Sequence, residues 1–336
     1  MSFENRILFL LILLSSLFSL HSAAQNRLKK LWTKADSILT ARYYHTSYDT
    51  NYVVRPDGKL TLKLKGNQSG NSLRAKGTVN DLHFKSHLTT SHKTTISLGA
   101  AYRGLSAAYS INPAKLAGFY EDYELSFNYY ASRFCIDATY QRSSSLSGDI
   151  HYGNDTYRME SGDTELKAFN LTAYYIFNHR RYSIAAPFSQ SYIQRRSAGS
   201  WLAGLSYQGG SVKVSDELRE SSPEIRDMCL RIGHLGIGGG YGYNLVLDKG
   251  WLLHLSFLPT FVVYNRNNIE VDGESIKASH MRFDMLFNER AAVVYNFSHR
   301  YFAGVNALAN NSLFGDKNVT MHQSKWAAHA FVGVRL

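Results

Sequence analysis

The sequence predicts an all-β protein, a transmembrane antiparallel β-barrel of about twelve strands, with ten or fourteen left open by one ambiguous turn. Three observations predict it. From Trp326 to Leu336 the even positions are Trp326, Ala328, Ala330, Val332, Val334 and Leu336, all apolar. The odd positions between them include His329, Gly333 and Arg335. Successive side chains of a strand point to opposite faces, so this is a strand with one greasy and one mostly polar side. The same period of two recurs along most of the chain. Brief turns then alternate with long polar connections, which is the plan of a barrel with turns on one side of a membrane and loops on the other.

The elements are read in order. Arg6, the apolar run Ile7 to Leu20 and the small residues Ser22-Ala23-Ala24 read as an export signal over 1–24. The run is too short for a spanning helix, and later segments hold no long unbroken apolar stretch. Residues 25–58 form a periplasmic segment. Within it Leu28, Leu31, Trp32, Ala35, Ile38 and Leu39 recur at helical spacing, so 26–41 is expected to be an amphipathic helix; an ordinary plug or rim helix is the preferred reading, and a place for a periplasmic partner to bind is the alternative. The barrel is expected over 59–336, with strands near 59–66, 82–89, 94–111, 123–131, 133–142, 168–178, 196–214, 231–247, 251–264, 282–297, 301–311 and 324–336. Arg103-Gly104 is taken as a bulge inside one strand; a turn there would change the count. Short turns fall at 131–133, 178–181, 248–250 and 298–300, and long loops at 112–122, 143–167, 215–230, 265–281 and 312–323. Tyr130, Phe134, Phe177, Tyr182, Trp251, Phe297 and Tyr301 should form an aromatic girdle at the turn side. Segment 182–195 contains Pro187 and does not alternate. It reads as a periplasmic extension or as a fold into the barrel mouth.

Composition agrees with strands: 23 Tyr, 18 Phe and 25 Gly against 5 Pro. The net charge of +11 is scattered over turns, loops and one strand face, without a patch. Lipids and lipopolysaccharide of the outer membrane suit it better than nucleic acid, which is excluded as a partner. An exported barrel also needs the barrel-assembly machinery. Cys135 and Cys229 should lie near opposite rims, too far apart to bridge, and are read as free thiols.

Several stretches resemble the domain-of-unknown-function 4421 family. They are Asp49-Thr50-Asn51-Tyr52, Ala101-Tyr102-Arg103-Gly104, Tyr175-Ile176-Phe177-Asn178, Gln194-Arg195-Arg196-Ser197-Ala198-Gly199-Ser200, and Tyr295-Asn296-Phe297 with Phe302-Ala303-Gly304. The resemblance implies a barrel in the outer membrane of a Gram-negative bacterium; separately, an even strand count is expected to leave both termini periplasmic. It brings no established activity and no catalytic residues.

Chemistry is sparse. His254-Leu255-Ser256 is an H-x-S on one strand face, a pairing that some outer-membrane lipid hydrolases use with a third group to orient the His. It faces the lumen, and the reading preferred is polar lining. Glu289 falls on the lipid face of a regular 282–297 strand, and a bulge turning it inward is expected. Lumen lining is assigned to Arg133, Asp137, His254, Arg282, Asp284, Arg290, His329 and Arg335, with Lys325. The glycines from Gly236 to Gly242 leave room for a plug. No metal cluster, phosphate loop or nucleophile elbow appears, and no cofactor is expected. The function read is a non-enzymatic outer-membrane barrel, a narrow channel or a structural or accessory protein. The alternative is a hydrolase of lipid or surface polymer.

Overall fold

The computed structural model describes residues 47–336 apart from 57, 59, 80, 103–104, 112–122, 222–226, 248–249, 272, 278–283 and 316–317, with scattered positions between 30 and 41. The export signal, most of the 26–41 helix, the 112–122 loop and Arg282 lie outside the described residues.

In chain order the elements are β1 (Val53–Val54), β2 (Leu60–Val79), β3 (Leu82–Thr90), β4 (Lys93–Tyr102), β5 (Leu105–Ile111), β6 (Tyr123–Tyr130), β7 (Phe134–Ser143), β8 (Leu146–Tyr152), β9 (Asp155–Met159) and β10 (Thr164–Ile176). Then come a one-turn helix α1 (Ala185–Phe188), β11 (Ile193–Gln194), β12 (Ala198–Val214), α2 (Asp216–Ser221), β13 (Met228–Leu247) and β14 (Trp251–Asn265). The last are β15 (Asn268–Val271), β16 (Glu274–Lys277), β17 (Met285–Asn296), β18 (Tyr301–Gly315) and β19 (Val319–Arg335).

The large sheet closes on itself. The antiparallel pairings run β2, β4, β5, β6, β7, β10, β12, β13, β14, β17, β18, β19 and back to β2. The final strand pairs with the first from Val319 opposite Gly77 to Arg335 opposite Thr61. Among the described residues the ring of strands named above has no unpaired edge, the condition a sheet must meet to sit in hydrocarbon.

The two faces are inverted relative to a water-soluble protein. Leu98, Trp201 and Leu255 are each about 70% exposed on the outside. Lys63, Asn67, Thr172, Ser206, Asn244, Asn288, Arg290 and Arg335 are buried inside. Cross-strand rings belt the end carrying the short turns: Trp201–Tyr241 at 5.2 Å, Trp251–Tyr295 at 4.7 Å and Phe134–Tyr175 at 5.1 Å. Tyr130 and Tyr182, expected in this girdle, are instead buried within the barrel.

Boundaries differ from the sequence reading in three places. Residues 94–111 are two strands, because Tyr102 stands opposite Leu105 and the chain reverses between them. β3 and β4 together run along β2, so one long strand is interrupted near Ser91–His92. Most of 143–167, 265–281 and 312–323, expected as loops, is ladder: the facing ends of β18 and β19 from Ser312 opposite Gln323 to Gly315 opposite Thr320, and the β8–β9 and β15–β16 hairpins. Gly153 (φ 61°) and Gly273 (φ 82°) make their tight turns in the left-handed region that suits glycine. Beyond the short β5–β6 hairpin, β3 pairs directly with β8.

Candidate functional site

The lumen is closed at the short-turn end by the chain itself. Every residue from Tyr182 to Tyr192 is buried. This plug folds into the mouth, the second of the two arrangements its sequence left open. Tyr182 sits where Gly242 has no side chain; a Cβ there would collide with the Tyr182 hydroxyl. Ala186 packs with Leu252, Val294, Phe302 and Phe331 of the wall. A strap from Ser47 to Val54 covers it, β1 pairing with β11. Tyr48 donates to Ser183 Oγ at 3.1 Å, and burial pushes its phenol well above the ordinary value. Ser47 Oγ lies 2.8 Å from His179 Nδ1. Burial, with Arg133 and Arg180 nearby, holds that imidazole below its ordinary value.

The wall grips the plug through its backbone carbonyls. Lys63 Nζ donates to Phe188 O at 2.8 Å and to Gln190 Oε1 at 2.9 Å. Arg335 Nε donates to Gln190 O at 2.6 Å, while its Nη2 donates to Asn296 Oδ1 at 2.8 Å. Gln190 itself is held at φ 57°, a left-handed conformation that costs a non-glycine residue about 1 kcal/mol.

A chain of hydrogen bonds leads from the plug to Ser256. Gln194 Nε2 donates to Arg181 O at 2.6 Å and to Arg196 O at 2.9 Å, so its Oε1 is left to accept from Asn244 Nδ2 at 3.0 Å. Asn244 Nδ2 also donates to Ser183 O at 2.8 Å. A carbonyl only accepts, so the amide cannot be turned around. Asn244 Oδ1 then accepts from His254 Nδ1 at 2.7 Å. That puts the ring proton on Nδ1 and leaves Nε2 to accept from Ser256 Oγ at 3.0 Å. Phe188 and Tyr182 cover the imidazole, with ring centres 5.1 and 6.1 Å away.

Past Phe188 lies a cavity of about 120 Å³, lined by Lys63, Lys65, Glu124, Asp137, Arg290 and Lys325 among others. Arg290 Nη2 lies 2.7 Å from Asp137 Oδ2 and its Nη1 donates to Tyr174 Oη at 3.0 Å. Tyr130 donates to the same carboxylate. Lys325 pairs with Glu124 at 3.3 Å. Toward the hairpin end Leu73, Leu146, Leu166, Leu230, Ile232 and Phe314 close around a void of about 30 Å³.

The residues assigned to the lumen therefore separate. Asp137, His254, Asp284, Arg290, His329 and Arg335 lie inside, with His329 Nδ1 2.6 Å from Asn306 Oδ1 and Asp284 accepting from Asn265 at 3.4 Å. Arg133 does not; it is exposed on the β6–β7 turn. Glu289 is a correction. Both ladders of β17 run without a register shift, so no bulge forms and the carboxylate is exposed on the outer wall between Phe257 and Ala309. Asn244 was missed, because only the β13–β14 register sets it opposite His254. Cys135 and Cys229 are both free. Among the described residues no group of three or more His, Cys, Asp or Glu is placed to hold a metal.

Solved structures similar in outline include the outer membrane protease OmpT from Escherichia coli, at 9% identity over 84% of this chain and 97% of that one, with a TM-score of 0.42. The transport unit of the autotransporter AIDA-I from Escherichia coli shows 10% identity over 90% and 96%, with a TM-score of 0.36. The translocator domain of the autotransporter NalP from Neisseria meningitidis shows 14% identity over 94% and 97%, with a TM-score of 0.25. At these values the likeness carries no argument about activity. No curated protein matches. The model of the Domain of unknown function (DUF4421) matches residues 47–336, from the strap over the plug to the closing strand. The chain is an antiparallel β-barrel of the outer-membrane type and belongs to the DUF4421 family.

Proposed function

We propose that the chain works as a stoppered outer-membrane barrel, non-conducting at rest, whose plug is the element that moves. The single observation that carries this is the grip of Lys63, Asn244 and Arg335 on plug backbone oxygens. Those bonds can be exchanged for bonds to water as the segment withdraws, so the net cost of breaking each is modest, about 0.5–1.5 kcal/mol for Asn244 and about 1.5–3 kcal/mol for the charged Lys63 and Arg335. The exposed apolar belt supports placement in a Gram-negative outer membrane, among its lipids and lipopolysaccharide, after insertion by the barrel-assembly machinery. With the brief turns periplasmic, both termini and the strap face the periplasm. A periplasmic partner held by residues 26–41 would be the natural trigger, because the strap that follows is pinned to the plug. The cavity beyond Phe188 has more lysine and arginine than carboxylate, so an opened lumen should favour anions.

Planar-bilayer conductance tests the reading. The native chain should hold near baseline. Replacing 184–192 with a flexible linker, which keeps Ser183 and Gln194, should produce steady anion-preferring steps. Steady conductance by the native chain, or none after the replacement, overturns it.

A further inference from the structure

Ser256, His254 and Asn244 have the arrangement of a nucleophile, a base and the group that orients the base. The oxygen-to-nitrogen distances are 3.0 Å for Ser256–His254 and 2.7 Å for His254–Asn244. Such constellations recur on unrelated folds and are recognised by geometry and role, with Asn among the third members known. The tautomer is the productive one, because fixed carbonyls upstream leave Nε2 unprotonated and aimed at the hydroxyl. A structural latch would need Gln194 and Asn244, which touch the plug's polar atoms. It has no use for Ser256, which ends the chain on the wall.

A second observation points to a ligand at the same place. The Tyr182 hydroxyl is fully buried and has no hydrogen-bond partner. It crowds the space above Gly242, the cross-strand neighbour of Ser256, and Ser256 Cβ borders that same space. An unpaired donor beside a nucleophile is what a developing oxyanion requires. On the other side Ser256 stands opposite Arg290 in the β14–β17 ladder.

We propose that these residues form a latent acyl-transfer site, sealed by Phe188, that hydrolyses carboxylic esters bearing an anionic group. Ser256 Oγ bonds to the ester carbonyl carbon while its proton passes to His254 Nε2. The tetrahedral oxyanion takes the Tyr182 hydrogen bond. Its collapse breaks the carbon–oxygen bond to the alcohol, which leaves with the proton from His254. Water then attacks the acyl-serine, His254 takes the water's proton and returns it to Ser256, and the acid departs. Anionic selectivity comes from Lys63, Lys65, Arg290 and Lys325, which line the cavity on the far side of Phe188 against Glu124 and Asp137. The proposal rests on the plug being movable from Ile184 onward, with Tyr182 and Ser183 staying in place against Gly242 and Asn244, but the two can fail separately.

The test is covalent capture by a fluorophosphonate, located by mass spectrometry on folded, heat-modifiable protein. Phe188→Ala joins the cavity to the imidazole, and this variant should label at Ser256 at least about tenfold faster than the native chain. Adding His254→Ala should slow that labelling by roughly 10²-fold or more. Adding Tyr182→Phe should slow hydrolysis of mono-4-nitrophenyl succinate by about 10²-fold. In Phe188→Ala the anionic succinate should turn over faster than neutral 4-nitrophenyl acetate. Adding Ser256→Ala should abolish label and turnover without changing the heat-modifiable shift. Absence of Ser256 labelling in both Phe188→Ala and the 184–192 linker variant overturns the site, even where the linker variant conducts. Equal turnover of the two esters overturns the substrate class.

Discussion

The two ends of the lumen are closed by opposite means. At the short-turn end a backbone segment is inserted and held by side chains of the wall: Lys63 and Arg335 on Gln190, Asn244 on Ser183. At the hairpin end the wall's own side chains, Leu73, Leu146, Leu166, Leu230 and Phe314 with Asn71, Gln208 and Gln323, line a void of about 30 Å³. Hydrogen bonds to carbonyls can be exchanged for bonds to water at modest net cost, whereas exposing the apolar cluster costs about 25 cal/mol for each Å² wetted. The difference assigns motion to one end and rigidity to the other. Between the two ends lie two ion pairs. Arg290 with Asp137 and Lys325 with Glu124 lie in the cavity between the two ends, mostly buried, where an unpaired ion would be costly.

The largest effect should come from the rigid end. Phe314 is 2% exposed and packs against His234 with ring centres 4.6 Å apart. Phe314→Ala should cost about 3–5 kcal/mol in urea unfolding from vesicles, as large-to-small core changes do. It should leave conductance at baseline, since the plug is untouched. Conductance comparable to that of the plug replacement would erase the distinction between the ends.

The plug end should respond the other way. Lys63→Met removes one donor and leaves Phe188 O and Gln190 Oε1 unsatisfied, a loss of about 1–3 kcal/mol. Stability should fall less than for Phe314→Ala, yet brief openings should appear in bilayer recordings. A quiet trace with the same loss of stability would mean that the grip is structural filling.

What the sequence revealed followed from where alternation operates. On β13, β14 and β19 one face meets lipid and the other the lumen, so a period of two is visible, and His254 with Ser256 could be placed on one inward face. In β8–β9 and β15–β16 polar residues fall on both faces. Alternation lapses there, and the hairpins read as loops despite Gly153-Asn154 and Asp272-Gly273. The plug defeated pattern reading for another reason. It is buried all round, carries Pro187 and turns through a left-handed Gln190, so it has no period at all. Asn244 needed the register between two strands, which alternation within one strand does not contain.

Glu289 lies outside both ends of the lumen. Its alternation was legible, and the uninterrupted ladders keep it on the outer wall near mid-strand. A carboxyl facing lipid there costs less than the roughly 2–4 kcal/mol of a lysine or arginine. Glu289→Leu should therefore stabilise the barrel in vesicles by about 1–2 kcal/mol and leave conductance alone. Destabilisation would mean that the carboxylate is engaged at the membrane face, and the outer wall would become a third functional surface.

The smallest effect belongs to the strap. His179 is partly buried, and burial followed by Arg133 and Arg180 lowers its pKa below the ordinary value of 6.5. The folded state thus binds its proton less readily than the unfolded chain does. By linkage, the stability it contributes is fully present above the ordinary value and is lost as pH falls through 6.5 toward the lowered folded value. Its Nδ1 meets Ser47 Oγ at 2.8 Å, and Asp49 N donates to Arg180 O at 2.7 Å, so protonation acts where the strap joins the plugged end. The strap should be cut by protease faster at pH 5.5 than at pH 7.5, with no matching change in the β8–β9 hairpin. His179→Asn keeps a polar group beside Ser47 and should flatten the difference. The ring resonances of His179 give the direct measurement. A titration midpoint at or above 6.5 would contradict the sign, and the strap would then owe nothing to this imidazole. A low midpoint with pH-independent cleavage would instead mean that β1–β11 pairing and the Tyr48–Ser183 bond hold the strap without help, leaving the plug's release to the wall residues alone.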